Sequence, residues 1–265
     1  MPDSEVALAP GQATDRVAIV TGASEGIGRA IALRLAADGY RVAALARSRE
    51  RLATLQEEIG ERSLPVVCDV RSVEDVERSV QEVLGWRGRI DALVNCASAT
   101  RFGTTSTLSD EEWVVGFEVK VFGALRLMRA AWPALAARRG AILNIGGIGA
   151  RTPSDAVAMT GPLSAALLAL TKVFADRGVG DGVRVNAINP GAVLTPRLVA
   201  MLTLRAETAG ITLDEEIAAM EQRDHVCRLG TPEDIAGLAA FLLSPASGLV
   251  HGAILDADGG RTKAL

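Results

Sequence analysis

The short apolar run RVAIVT (16–21) leads into TGASEGIG, which sets glycines at positions 22, 26 and 28. Gly22 permits a tight turn, Gly26 lets backbone approach a phosphate, and Gly28 lets the next helix lie close to the strand. The loop Gly22, Ser24, Glu25, Gly26, Ile27 and Gly28 opens a helix, so its N–H groups and the helix N-terminus form a seat for a diphosphate. The second apolar run, RVAALA (41–46), is followed by Arg47, Ser48 and Arg49. An acid at that place would accept from ribose hydroxyls. Here Arg47 can instead pair with a 2′-phosphate and Ser48 can donate to it. The pattern points to NADP(H) rather than NAD(H), with Glu25 as the contrary charge. A third stretch, MTGPLSAALLALTK (159–172), has helical composition and carries hydroxyls at Thr160 and Ser164 but no tyrosine.

These residues must be positioned by a larger frame. Short β-branched runs at 16–21, 41–46, 64–70, 91–97, 140–146, 182–189 and 252–260 alternate with amphipathic segments of helical length. Repeated strand–helix–strand units imply a parallel sheet covered on both faces by helices. The expected fold is α/β: a single-domain, Rossmann-type, doubly wound parallel sheet of about seven strands. Residues 1–15 read as a disordered tail and 16–265 as the domain. Residues 195–228 form a mainly helical insertion between the sixth strand and the helix beginning at TPEDIAGLAAFLL, expected to serve as a substrate lid.

The composition narrows the function classes. The 265 residues are 49% hydrophobic and 23% charged, with a net charge of −4 and interleaved signs. That balance is globular and argues against an electrostatic nucleic-acid or membrane binder. No apolar stretch reaches membrane-spanning length, and the start of the chain lacks a signal-peptide pattern. Cys68, Cys96 and Cys227 are scattered, which suits a reducing cytoplasm. With two histidines, His225 and His251, no metal site is expected. The lone tyrosine, Tyr40, follows Gly39 at a helix end and reads as a packing residue.

Together, TGASEGIG, CDV (68–70), LVNCAS (93–98), NAINPGAVLT (186–195), RLGTPEDIA (228–236) and DADGG (256–260) make the chain resemble the short-chain dehydrogenase/reductases from Arg16 to Gly260. The resemblance implies that Asp69 accepts from the adenine amine, with the Val70 backbone beside it. It places Asn95 and Ala97 along the adenosine ribose, and Pro190, Gly191, Val193 and Thr195 along the nicotinamide and diphosphate. It also implies a homo-tetramer or homodimer acting on a small molecule, which the apolar lid suggests is hydrophobic.

The family's proton chemistry uses Asn, Ser, Tyr and Lys. Landmarks place those four positions at Lys120, Gly147, Thr160 and Ser164, so each departs from the family pattern. Lys172 lies eight residues past the lysine position, and a shifted register would demand a tyrosine where Leu168 stands. A threonine hydroxyl is a poor proton donor near neutral pH. Lys120 brings a cation toward the vacated lysine site from another helix, where burial would lower its pKa. Gly146, Gly147 and Gly149 leave space on the pocket floor, with Arg151 and Asp155 on the loop beside it. Lys120, Thr160 and Ser164 are the candidate catalytic residues, and three readings remain open: an NADP(H)-dependent oxidoreductase with a rewired proton relay, using Lys120 or substrate-assisted protonation; a redox-neutral cyclase, isomerase or dehydratase; or a non-catalytic member serving as a nucleotide sensor or as a partner subunit of an active relative.

Overall fold

The computed structural model describes residues 15–263, so residues 1–14 of the expected tail lie outside the described residues. Seven strands form one sheet: β1 (Val17–Thr21), β2 (Arg41–Ala46), β3 (Ser63–Val67), β4 (Ala92–Asn95), β5 (Ala141–Ile145), β6 (Arg184–Pro190) and β7 (Ile254–Ala257). Their order is β3-β2-β1-β4-β5-β6-β7, and every pair is parallel. The order reverses between β1 and β4, which opens a crevice at their carboxyl ends where ligands of such sheets bind.

Alternation along each strand decides which face it serves. Ala18 and Val20 join a core with α1 (Gly26–Ala37), α2 (Arg49–Ile59) and α9 (Pro232–Leu243). Val17 and Ile19 point the other way, into a core with α3 (Val73–Arg87), α5 (Gly123–Arg138) and α6 (Thr160–Asp181). Because both faces are covered, the strands read as continuous apolar runs. Tyr40 is a packing residue: it is buried, its hydroxyl donates to the Leu243 carbonyl at 3.1 Å, and its ring lies under Arg16.

All seven expected strands are present, but β3 and β4 end earlier than their apolar runs. After β3 the Asp69 N–H turns to the Asp75 carboxylate (3.0 Å). After β4 the Cys96 and Ala97 N–H groups turn to the Thr21 hydroxyl (2.9 and 3.1 Å). In both places side chains take over the hydrogen bonds of the ladder, and at the end of β4 this happens beside the crevice.

The expected insertion consists of α7 (Pro196–Ala209) and α8 (Leu213–Asp224), capped by Thr195 and Thr212. It holds a small apolar cluster of its own, in which Leu198, Leu202 and Leu229 are buried against Met201, Leu213, Ile217 and Met220.

Candidate active site

The glycine loop is held at the crevice by close backbone approach. Gly22 and Gly26 adopt φ of +65° and +57°, a region that side chains disfavour. A Cβ on Gly28 would collide with the Gly22 carbonyl, and one on Gly22 would come 3.0 Å from the Cys96 carbonyl. Thr195 caps α7, and its methyl sits 3.1 Å from where a Gly26 side chain would begin, so the start of α7 lies against the loop. Ser24 and Ile27 are half-buried and Glu25 is exposed.

Glu25 forms an ion pair with Arg51 in the first turn of α2. Its charge, which on sequence alone opposes a bound phosphate, is therefore met by a guanidinium. Ser48 caps α2 by accepting from the Arg51 N–H at 3.3 Å, and Arg47 is exposed beside it. Arg51 escaped the sequence reading because its partner lies in a different loop; its place three residues after the cap was the available signal.

Asp69 is gripped by Arg71, whose Nε and Nη2 donate to its carboxylate at 2.6–3.0 Å, and these bonds hold its pKa below the ordinary carboxylate value. Asn95 donates to Asn144 Oδ1 (2.8 Å), and Asn144 donates to the Thr171 hydroxyl (3.0 Å), tying β4 and β5 to α6. Asn95 Oδ1 is buried with no partner. It borders a small cleft lined also by Thr21, Val70, Ala97 and Lys120. Pro190 is buried at the end of β6, the Gly191 N–H donates to the Ala257 carbonyl, and Val193 pairs with Gly230.

The lysine arrives by an unusual route. Between α4 (Asp110–Phe117) and α5 the helix widens into a π-helical turn, Glu118–Phe122. Such turns insert a residue into a helix and recur at functional sites. Glycines flank this one where the helix makes close contacts. A Cβ on Gly116 would meet Met159 Sδ and Leu163 at 2.9 Å, and one on Gly123 would meet Val70 at 2.7 Å. Lys120 sits between them, only 7% exposed.

Lys120 Nζ donates to the Gly146 carbonyl at 2.8 Å and lies 4.0 Å from where a Gly147 side chain would begin. That same point is 3.1 Å from Ser164 Oγ and 3.3 Å from the Thr160 methyl. The four departing positions are thus brought together. Burial pulls the Lys120 pKa down to about 8, opposed by the Cys96 thiol and reinforced by Arg197. Desolvation pushes the Cys96 thiol up to about 12, against the pull of Lys120. Ser164 Oγ is buried and unpartnered, whereas Thr160 opens α6 and is half-buried.

The glycine floor is filled by its neighbours. The Gly147 N–H donates to Asn189 Oδ1 (2.7 Å), and a Cβ on Gly149 would come 3.0 Å from the Gly161 nitrogen. Asn189, which the sequence reading did not single out, sets the floor from β6. Asp155 accepts from the Thr105 N–H and hydroxyl (2.9 and 2.8 Å), and Arg151 pairs with Asp256. Both therefore serve as loop ties. No group of residues able to hold a metal occurs among the described residues, and none of their helices is long and apolar enough to cross a membrane.

A family model described as Enoyl-(Acyl carrier protein) reductase matches residues 22–262. Short-chain reductase protein NovJ from Streptomyces niveus is 34% identical, covering 93% of this chain and 94% of its own. The chain belongs to the short-chain dehydrogenase/reductase family. Among solved members, L-sorbose reductase from Gluconobacter frateurii, in complex with NADPH and L-sorbose, superposes with a TM-score of 0.89 at 33% identity, covering 95% of this chain and 98% of that one. A short-chain oxidoreductase from Pseudomonas aeruginosa, described as containing an atypical catalytic center, superposes at 0.88 and 29% identity, covering 94% and 98%.

Proposed function

We propose that the chain is an NADP(H)-dependent oxidoreductase of small, predominantly apolar carbonyl or enone substrates, in which Lys120 replaces the family's proton donor. The observation that carries this reading is the Lys120 ammonium, buried beside Gly147, Thr160 and Ser164 with no carboxylate partner among the described residues and a pKa of about 8. An acid in that range is matched to proton transfer near neutral pH.

The residues present fit the dinucleotide. The glycine cradle would be filled by side chains at Gly22 or Gly28, and the buried Asn95 Oδ1 lacks a donor. Gly22, Ser24, Glu25, Gly26, Ile27 and Gly28 would hold the diphosphate with Thr195. Asp69, Val70, Asn95 and Ala97 would hold the adenosine, and Pro190, Gly191 and Val193 the nicotinamide side. Arg47, Ser48 and Arg51 support the 2′-phosphate, because Arg51 neutralises Glu25. L-sorbose reductase, solved with NADPH, supports the same cofactor choice. Bound NADPH supplies the hydride.

The chain's own residues then handle orientation and the proton. Thr160 hydrogen-bonds the substrate oxygen and Ser164 turns its hydroxyl into the space above Gly147. Lys120 gives its proton to the developing alkoxide and is held on the Gly146 carbonyl meanwhile. Helices α7 and α8 act as the lid, closing an apolar wall over the mouth. Exposed Ala165, Ala169 and Val173 at helical spacing on α6 support assembly into a homo-oligomer. The free cysteines support a cytoplasmic setting.

The deciding experiment measures NADPH binding and follows transfer of deuterium from 4-deuterated NADPH to a panel of ketones and enones. Transfer that disappears in Lys120→Met, with NADPH binding retained, is the expected result. Failure of the protein both to bind NADPH and to transfer label overturns the reading. Turnover with unchanged NADPH absorbance moves the assignment to a redox-neutral reaction.

A further inference from the structure

Two more cations stand at the mouth above Lys120. Arg197, the second residue of α7, lays its guanidinium 4.4 Å from the centre of the Phe102 ring. Arg101 precedes Phe102, and its N–H meets Met159 Sδ at 3.4 Å, one residue before Thr160. Gly103 and Val157 bridge the same two loops. The Arg101 backbone and the Arg197 side chain are thereby held beside the start of α6, near enough that Lys120 feels the charge of Arg197 and Arg197 that of Arg101.

Neither arginine forms an ion pair among the described residues. Of the acids on neighbouring segments, Glu25 is engaged by Arg51, and Asp155 gives Oδ1 to Thr105. Arg197 also stands in the first turn of a helix with no acid there, against the positive end of the helix dipole. Partial desolvation and the charge of Arg101 lower the Arg197 pKa, with Glu25 acting the other way, and Lys120 in turn feels Arg197. Like charges gathered without a counterion are costly, and an arriving anion relieves that cost.

We infer that Arg101 and Arg197 form an oxyanion-binding pair at the pocket mouth, which takes a terminal carboxylate or phosphate of the substrate while its carbonyl faces Lys120. The inference rests on the reductase reading and narrows its substrates to oxo acids or oxo phosphates with an otherwise apolar body. Paired guanidiniums suit this role because their forked donors match the geometry of either group. The same chemistry could come from the dinucleotide diphosphate, because α7 begins beside Gly26.

Protein saturated with NADPH is titrated with malonate and with inorganic phosphate by calorimetry, in the wild type and in Arg101→Gln and Arg197→Gln. Separately, kcat/KM is compared for oxo acids and their methyl esters. The expected result is anion binding to the NADPH-loaded wild type that weakens roughly 10- to 100-fold in each variant. The preference for acid over ester should fall by the same factor, with NADPH affinity unchanged. Absence of anion binding in the NADPH-loaded wild type, or equal binding in the variants, overturns the inference. So does a loss of NADPH affinity in the variants with the acid-to-ester ratio intact, which assigns the pair to the diphosphate. If NADPH does not bind at all, the reductase reading fails by itself, and the titration of the cofactor-free protein still reports on the pair.

Discussion

At the scale of the residue, the proposed chemistry turns on Lys120. Its pKa falls from 10.5 to about 8 because burial removes its hydration and no carboxylate among the described residues restores the balance. Between pH 8 and 10.5 the unfolded chain keeps a proton that the folded chain has released, so stability rises with pH across that window. Below pH 8 both states are protonated and the folded state carries the full cost of the buried charge. Lys120→Met should therefore be more stable than the parent at pH 6–7, by on the order of 3 kcal/mol. The gap should close as pH approaches 10.5, which urea denaturation at several pH values will show. The same substitution should lower carbonyl reduction by about 10²–10⁴-fold. In the parent, reduction should decline as pH rises through about 8, because the proton donor is the charged form, and alcohol oxidation should gain over the same range. Both limbs should vanish from the residual rate of the variant. The position of Lys120 was legible from its distance to Gly123; the lack of an acid around it was not, since that depends on every segment that folds against it.

At the scale of the element, the π-turn and the start of α6 act as one unit. Gly116 lies against Met159 and Leu163, and Gly149 lies against Gly161 and Thr160. Gly149→Val should wedge α6 away from the floor, lowering stability by about 1–3 kcal/mol and activity with it; thermal melting and kcat measured together will test this. Gly28→Ala should cost NADPH affinity at least tenfold, since its methyl would strike the Gly22 carbonyl and pry α1 from β1. A fluorescence titration with NADPH reads that loss. The strands were legible because each is a short apolar run ending in turn residues. The π-turn was not: it changes the helical period by one residue over a single turn, a signal that the run VVGFEVKVFG does not carry. Arg51 was hidden for a different reason, since its ion pair with Glu25 joins the first turn of α2 to the glycine loop across a whole helix and strand.

At the scale of the molecule, the parallel sheet and its helix coverage followed from alternation of runs, whereas assembly depends on surfaces that pattern alone does not assign. α6 presents Val173 at 63% exposure, with Ala165 and Ala169 on the same side. Light scattering should give a mass of two or four chains, and Val173→Asp should shift it toward one with the helical spectrum unchanged. The relation between the two helices that meet at the pocket reaches beyond this molecule. The space around Gly147 is shared by Lys120 Nζ and by the side chain at position 164. Two ammonium groups there would repel, and none would leave the alkoxide unneutralised. Lys120 and a lysine at 164 are therefore alternative homes for one charge. A lineage moving between them one substitution at a time must pass through a form with the charge doubled or a form with it missing. Ser164→Lys together with Thr160→Tyr should consequently fail to raise activity while Lys120 is present and should succeed once Lys120→Asn is added, a dependence that a rate assay of the two combinations beside the parent makes visible.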